Sequence, residues 1–206
     1  MWTNFFDKIY VINLPKRIDR LMQFVEEMEK YEIEFEIVNG IEHESGAEGL
    51  RQTVENIFKD AIDKKYNQIL IFEDDCYFVE GKSTVDWTMD NAIKELPEDW
   101  HILYLSAQPT NGFNRRQSGC LLQLDGAFAT HSWAISNQGI REILSFGLDA
   151  PIDNSIVKTI QPLQKCFITY PILTSQRVGM SDIGHTEIDW QPFIVSRYYQ
   201  KLVEMK

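Results

Sequence analysis

A chain of 206 residues with 44% hydrophobic and 25% charged side chains is long enough for one ordinary core, and its composition excludes long disorder or a repeat array. With 31 acidic against 20 basic residues the formal net charge is -11, so nucleic acid is repelled and is not expected as a partner. A small anion such as a nucleotide diphosphate could still bind if a cation inverted the acidic surroundings locally.

The opening MWTNFFDKIYVINL lacks a basic leader, a long apolar run and a small-residue cleavage site, and reads as the approach to a first strand over residues 8–14. Pro15 suits a first helical turn, and Ile18, Leu21, Met22, Val25 and Met28 follow at helical spacing. A short strand over 35–38 ends at the turn pair Asn39-Gly40, and Leu50, Val54, Ile57, Phe58 and Ala61 mark a second amphipathic helix. The apolar run 68–72 fits a buried parallel strand. A helix over 85–96 and a strand over 101–106 follow. The polar segment 108–119, with Arg115 and Arg116 together, reads as a mobile loop. A strand over 127–135 leads into a helix capped by Asn137 and running to Phe146, with Gly147 just past its end. A last strand occupies 165–170, and beyond Gly179 the pattern is a polar loop and a short helical tail.

This succession predicts an α/β domain with a central, mostly parallel sheet flanked by helices, in which ligands gather at the carboxyl ends of strands. No stretch reaches the ~20 apolar residues of a spanning helix. Cys76, Cys120 and Cys166 are odd in number and lack a CxxC pair, which suggests buried or free thiols in a reducing compartment and a cytoplasmic location.

Glu73-Asp74-Asp75, at the end of the apolar run, is the sharpest chemical signal. In extended backbone Glu73 and Asp75 project to one side and Asp74 to the other, so two carboxylates can converge on one hard cation, Mn²⁺ or Mg²⁺. The alternative is a solvated acidic loop.

Six segments, one of them holding that signal, give it a context: YVINLPKRIDR at 10–20, GAEGL at 46–50, LIFEDDC at 70–76, AFATHSWAISNQGIREIL at 127–144, APID at 150–153 and PILTSQRVGMSDI at 171–183. In these pieces, and in their order, the chain resembles glycosyltransferase family 25, which includes bacterial lipooligosaccharide galactosyltransferases and collagen galactosyltransferases. The resemblance implies a GT-A-like fold, with residues 1–106 as the nucleotide-sugar half and 107–206 as the donor-sugar and acceptor half. It also implies a UDP-sugar donor, commonly UDP-galactose, a glycan or hydroxylated protein acceptor, inversion at the anomeric carbon, and a place in lipopolysaccharide biosynthesis for a bacterial-type member. The chain departs from the family at Gly49-Leu50 and Thr53-Val54, where Gly-Cys and Ser-His are usual.

Within that frame Asn13, Arg17 and Arg20 follow the first strand where a nucleotide would meet the sheet, and Arg17 could pair with a phosphate. Otherwise Arg17 and Arg20 line an exposed helix face with Asp19. Asn39 and Gly40 could touch base or ribose, or serve only as a turn. Asp153 is the candidate general base for the acceptor hydroxyl; its rival role is to cap a helix over 154–160. His185, in the polar loop SDIGH, is a candidate third metal ligand beside Glu73 and Asp75. Asp74 and Asp125 are candidate donor contacts, Asp125-Gly126 being also a common turn, and Trp190 could stack on a sugar. Two other readings are a metal-dependent phosphoesterase and a non-catalytic nucleotide-sugar or glycan-binding relative.

Overall fold

The strands at the centre of the fold are apolar on both faces, so each is buried between two layers of helices. In β1 (Lys8–Asn13), Ile9 and Val11 enter one core while Tyr10 and Ile12 enter the other. The computed structural model describes residues 1–116, 119–184 and 186–204. After β1 come α1 (Ile18–Tyr31), β2 (Glu36–Asn39), α2 (Gly46–Asp63), β3 (Gln68–Glu73), β4 (Cys76–Phe78) and α3 (Lys82–Glu95). The chain continues with β5 (Ile102–Tyr104), β6 (Gln108–Arg116), β7 (Leu121–Phe128), β8 (Ser132–Ser136), α4 (Asn137–Phe146) and α5 (Ile152–Thr159). Then follow β9 (Cys166–Thr169), β10 (Thr174–Gln176), β11 (Gly179–Met180), β12 (Glu187–Ile188), a π-helical turn (Pro192–Ser196) and α6 (Arg197–Glu204).

Eight strands form one central sheet in the order β2-β1-β3-β8-β5-β9-β7-β6. The sheet is mostly parallel: β8 and β7 alone run against the common direction. Helices α2, α4, α5 and α6 pack on one face, and α1 and α3 on the other. This is the expected α/β domain with helices on both sides. The ends of β1, β2 and β3 lie together because the three are parallel neighbours in register, with Ile12 opposite both Glu73 and Val38. That register sets the functional site beside Glu73.

Several local expectations are corrected. Pro15 lies in the turn before α1, which starts at Ile18, so it is not in the first helical turn. Segment 108–116 is not a loop but the edge strand β6, paired antiparallel to β7 with irregular register. An edge strand needs no apolar alternation on its outer side and tolerates Pro109, which is why its polar sequence concealed it. The strand expected over 127–135 is two strands, broken at residues 129–131 where Ala129 turns into the left-handed region at φ 76°. Ser136, not Asn137, caps α4, its hydroxyl accepting from the Gly139 amide at 3.1 Å. The segment beyond Gly179 forms the two-strand hairpin β11–β12 before α6. Among the described residues no helix is long and apolar enough to cross a membrane. Cys76, Cys120 and Cys166 are all buried and none of them forms a disulfide among the described residues.

Candidate active site

Strand β3 ends at Glu73, and the chain turns at Asp74 and Asp75 before β4 begins. The turn overrides the alternation expected of extended backbone. Asp74 and Asp75 face the same cation, Arg20, whose Nη1 donates to Asp74 Oδ1 at 3.1 Å and to Asp75 Oδ2 at 3.2 Å. Their remaining oxygens are held from elsewhere. Asn13 Nδ2 donates to Asp74 Oδ2 at 2.7 Å, and Gln176 Nε2 donates to Asp75 Oδ1 at 3.3 Å. Gln176 is brought there by the antiparallel pairing of β10 with β4, in which it lies opposite Cys76.

Glu73 belongs to a second constellation. Its Oε1 accepts from the Thr130 hydroxyl at 3.2 Å, and its backbone amide donates to the His131 carbonyl at 2.9 Å. Asp153, the second residue of α5, comes to the same corner, beside the Ala129 amide and the Thr130 hydroxyl, both of which favour its charged form. The left-handed backbone at Ala129 is a strained conformation for a residue with a Cβ, and here it accompanies an amide directed at a carboxylate. Pro151 occupies the N-cap position of α5, so the helix-capping role foreseen for Asp153 is not the one it takes.

Burial and mutual repulsion act together on these acids. Burial pushes the Glu73 carboxyl well above the usual range, and the charges of Asp75, Asp153 and Asp74 push it further. Asp74 is raised by burial and by Asp75, against the opposing pull of Arg20. Asp75 and Asp153 are likewise raised, chiefly by burial, with Arg20 opposing the shift at Asp75 and hydrogen bonds from Ala129 and Thr130 opposing it at Asp153.

These groups open into a cavity of about 520 Å³. Its walls carry the carboxylates of Glu42, Glu73, Asp74, Asp75, Asp153 and Asp182 against the cations of Lys16, Arg20 and Arg177, with apolar surface from Leu14, Leu50, Ile188 and Trp190. The hairpin segment 179–184 forms one rim. Arg17 ties it down through an ion pair with Asp182, while also pairing with Asp19 at 3.1 Å. The start of α2 accepts this rim closely: a Cβ on Gly46 would lie 2.5 Å from the Asp182 carbonyl oxygen. Thr53, where the family pattern has another residue, takes a structural role, its hydroxyl accepting from the Ile41 amide at 2.9 Å and donating to the Gly49 carbonyl at 2.8 Å.

The cavity therefore brings together Arg20, Gly40, Glu73, Asp74, Asp75, Asp153 and Trp190 of the residues singled out from the sequence. Asn13 is 2% exposed and stands behind Asp74, positioning it. Arg17 secures the rim; it does not line the cavity. Asn39 ends β2 on the exposed side and is not in the wall. Asp125 lies within β7, so Asp125-Gly126 is neither a turn nor part of the cavity, because β7 is on the far side of the sheet order from β3. His185 lies outside the described residues. Thr130 and Gln176 were not foreseen individually, although they fall in the AFATHSWAISNQGIREIL and PILTSQRVGMSDI segments, and Asp182, a fallback choice for the base, sits on the rim of the cavity.

The acidic corner suits a hard divalent cation by its donor chemistry: oxygen ligands, buried, raised and mutually repelling. Among the described residues no group of three His, Cys, Asp or Glu side chains is assembled for a metal. A Mg²⁺-like ion fits such a place when one or two carboxylates share it with phosphate oxygens and water.

The chain matches no protein-family model, and no curated protein matches it in sequence. Among solved structures it is similar to a glycosyltransferase involved in the glycosylation of the major capsid of PBCV-1, at 13% identity and a TM-score of 0.50, over 95% of this chain and 98% of that one. The fold is GT-A-like. A197 from STIV superposes with a TM-score of 0.49 at 12% identity, over 87% of this chain and 91% of that one. A Drosophila β-1,4-galactosyltransferase 7 variant in complex with manganese, UDP-Gal and xylobiose gives 0.40 at 14% identity, over 66% of this chain and 51% of that one. Likeness at such identities speaks for fold and not for activity, which has to be argued from the site.

Proposed function

We propose that this GT-A-like domain transfers a sugar from a UDP-sugar to an acceptor hydroxyl with inversion, using the cavity beside β3. The observation that carries the reading is the convergence, in one cavity, of a strand-end acidic turn with a separately held carboxylate, Asp153. The first supplies a place for a diphosphate with its counter-charge, and the second a base. The resemblance of the sequence to family 25 selects UDP-galactose as the donor to try first, a glycan or hydroxylated protein as the acceptor, and lipopolysaccharide assembly in the cytoplasm as the setting.

Asp75 and Glu73 would hold Mn²⁺ or Mg²⁺, with His185 a candidate third ligand, and the ion would neutralise the charge that develops on the leaving diphosphate. Asp74, fixed by Asn13, shapes the turn that presents Asp75. Gly40, just past β2 in the cavity wall, is packed so closely that a Cβ would lie 3.2 Å from Leu14 Cδ2, and its bare backbone is a candidate contact for the nucleoside. Trp190 offers an apolar face on which a sugar ring can stack.

In the transfer step the acceptor oxygen forms a bond to the anomeric carbon while the bond from that carbon to the diphosphate oxygen breaks. The acceptor's hydroxyl proton passes to Asp153, whose raised affinity for protons suits a general base. Burial of the corner and the rim 179–184 restrict water, which favours transfer over hydrolysis. A screen of nucleotide sugars with and without Mn²⁺, read as release of nucleoside diphosphate, tests this. UDP release from one donor, dependent on the ion and increased by an acceptor, is the expected result. Release of inorganic phosphate from simple phosphate esters would favour the phosphoesterase, and no turnover with retained UDP binding would favour a non-catalytic relative.

A further inference from the structure

Arg20 is, among the described residues, the cation whose side chain hydrogen-bonds the carboxylates of the acidic turn, Arg177 reaching the turn through its backbone amide to the Asp75 carbonyl at 2.8 Å, and the geometry of Arg20 is unusual for a structural ion pair. A single nitrogen, Nη1, is divided between Asp74 at 3.1 Å and Asp75 at 3.2 Å. A paired fork on one carboxylate would be shorter and stronger. The other terminal nitrogen, Nη2, donates to the Met180 carbonyl at 2.6 Å, so the guanidinium is also anchored to the hairpin that rims the cavity. Neither carboxylate depends on Arg20 for its position, because Asn13 and Gln176 hold the opposite oxygens.

We propose that Arg20 is a tethered counter-cation: it supplies positive charge to Asp74 and Asp75 when no divalent ion is bound, and it yields Asp75 to the ion and turns Nη1 to the donor's diphosphate when both bind. The proposal rests on the reading of the cavity as a metal and UDP-sugar site. Its logic is substitution of charge. A divalent ion brings two charges where Arg20 brings one, and the released nitrogen, still held at the rim through Nη2, lines the cavity into which the diphosphate would come. Arg20 would then lower affinity for the ion alone and raise affinity for ion and nucleotide together. Free metal is thereby a poor ligand, and metal with nucleotide a good one.

The test compares wild type with Arg20→Gln, which keeps a polar side chain but is shorter and carries no charge. Binding of Mn²⁺ alone is followed by electron paramagnetic resonance of the free ion, and binding of UDP in saturating Mn²⁺ by calorimetry. Removing a neighbouring charge is expected to tighten Mn²⁺ alone by about tenfold or more. UDP with Mn²⁺ is expected to bind more weakly to the variant than to wild type. Arg20→Lys, which keeps the charge, is expected to bind Mn²⁺ alone close to the wild-type value. If Arg20→Gln does not fold, Arg20→Met carries the same pair of expectations. Equal or weaker binding of Mn²⁺ alone by the folded uncharged variant, with Mn²⁺ and UDP still bound by wild type, would overturn the proposal and leave the functional reading standing. Failure of wild type itself to bind UDP in Mn²⁺ would overturn both.

Discussion

The Thr130 hydroxyl donates to Glu73 Oε1 at 3.2 Å, and this bond joins the end of β3 to the corner that carries Asp153. Asp153 stands on its other side and competes for the hydroxyl's single proton, so one small side chain lies between two buried acids. Thr130→Val keeps the shape and removes the donor. It is expected to destabilise the fold by about 1–3 kcal/mol, the cost of leaving a buried acceptor unsatisfied. Thermal or denaturant unfolding checks this, and an unchanged midpoint would show that the bond is immaterial.

Asp153→Asn separates chemistry from binding. The side chain keeps its size and can still accept hydrogen bonds from Ala129 and Thr130, but it no longer takes a proton at neutral pH. Transfer should fall on the order of 10²- to 10⁴-fold while UDP affinity is preserved. Kinetics and calorimetry on this variant decide the matter, and wild-type turnover would remove Asp153 from the mechanism.

Glu73 gives a pH dependence of definite sign in the metal-free protein. Its folded proton affinity is raised above the unfolded value, so the native state holds more protons through that window and stability falls as pH rises across it. Glu73→Gln removes this liability. The variant is expected to be more stable than wild type at pH 8, with the advantage shrinking as pH falls toward about 4, the ordinary glutamate value. Chemical denaturation at several pH values measures the difference, and a variant less stable than wild type at pH 8 would contradict it.

His131 works in the opposite sense. Burial pushes its imidazole down to about 3, so it stays neutral in the fold, with Nε2 on the Ser106 hydroxyl at 2.7 Å. The unfolded histidine charges near 6.5, so this contribution is complete above that pH and is lost as pH falls below it, with a slope of up to about 1.4 kcal/mol per pH unit. His131→Gln should show a shallower loss of stability between pH 6.5 and 4 than wild type. Parallel curves would contradict neutral burial.

The two-sided apolar runs of β1 and β3 were legible in sequence because burial on both faces leaves no polar alternation to misread. The amphipathic helices α1 and α2 were legible for the complementary reason: they bury one stripe only. Edge strand β6 was not, since its sequence QPTNGFNRR is mostly polar and shows no apolar alternation, and β4 and β10, three residues each, are too short to show a period. At the site the acidic turn was visible as adjacent charges closing an apolar strand. Its true geometry was not, because a turn at Asp74 and Asp75 replaces the alternation of extended chain. Asp153 came into view through the APID segment and the family resemblance. Thr130 and Gln176 are ordinary polar residues whose significance arises only when the β8 and β10 neighbourhoods fold against β3 and β4.

A divalent cation that joins the acidic turn to a nucleotide diphosphate is the central feature of the proposed site. Calorimetric titration of the wild-type protein with UDP in Mn²⁺, and again after EDTA, measures this, with Asp75→Ala as the matched variant. The expected result is strong loss of UDP affinity on chelation, and weak, EDTA-insensitive binding by Asp75→Ala. Equal UDP affinity with and without the ion in wild type would contradict the account.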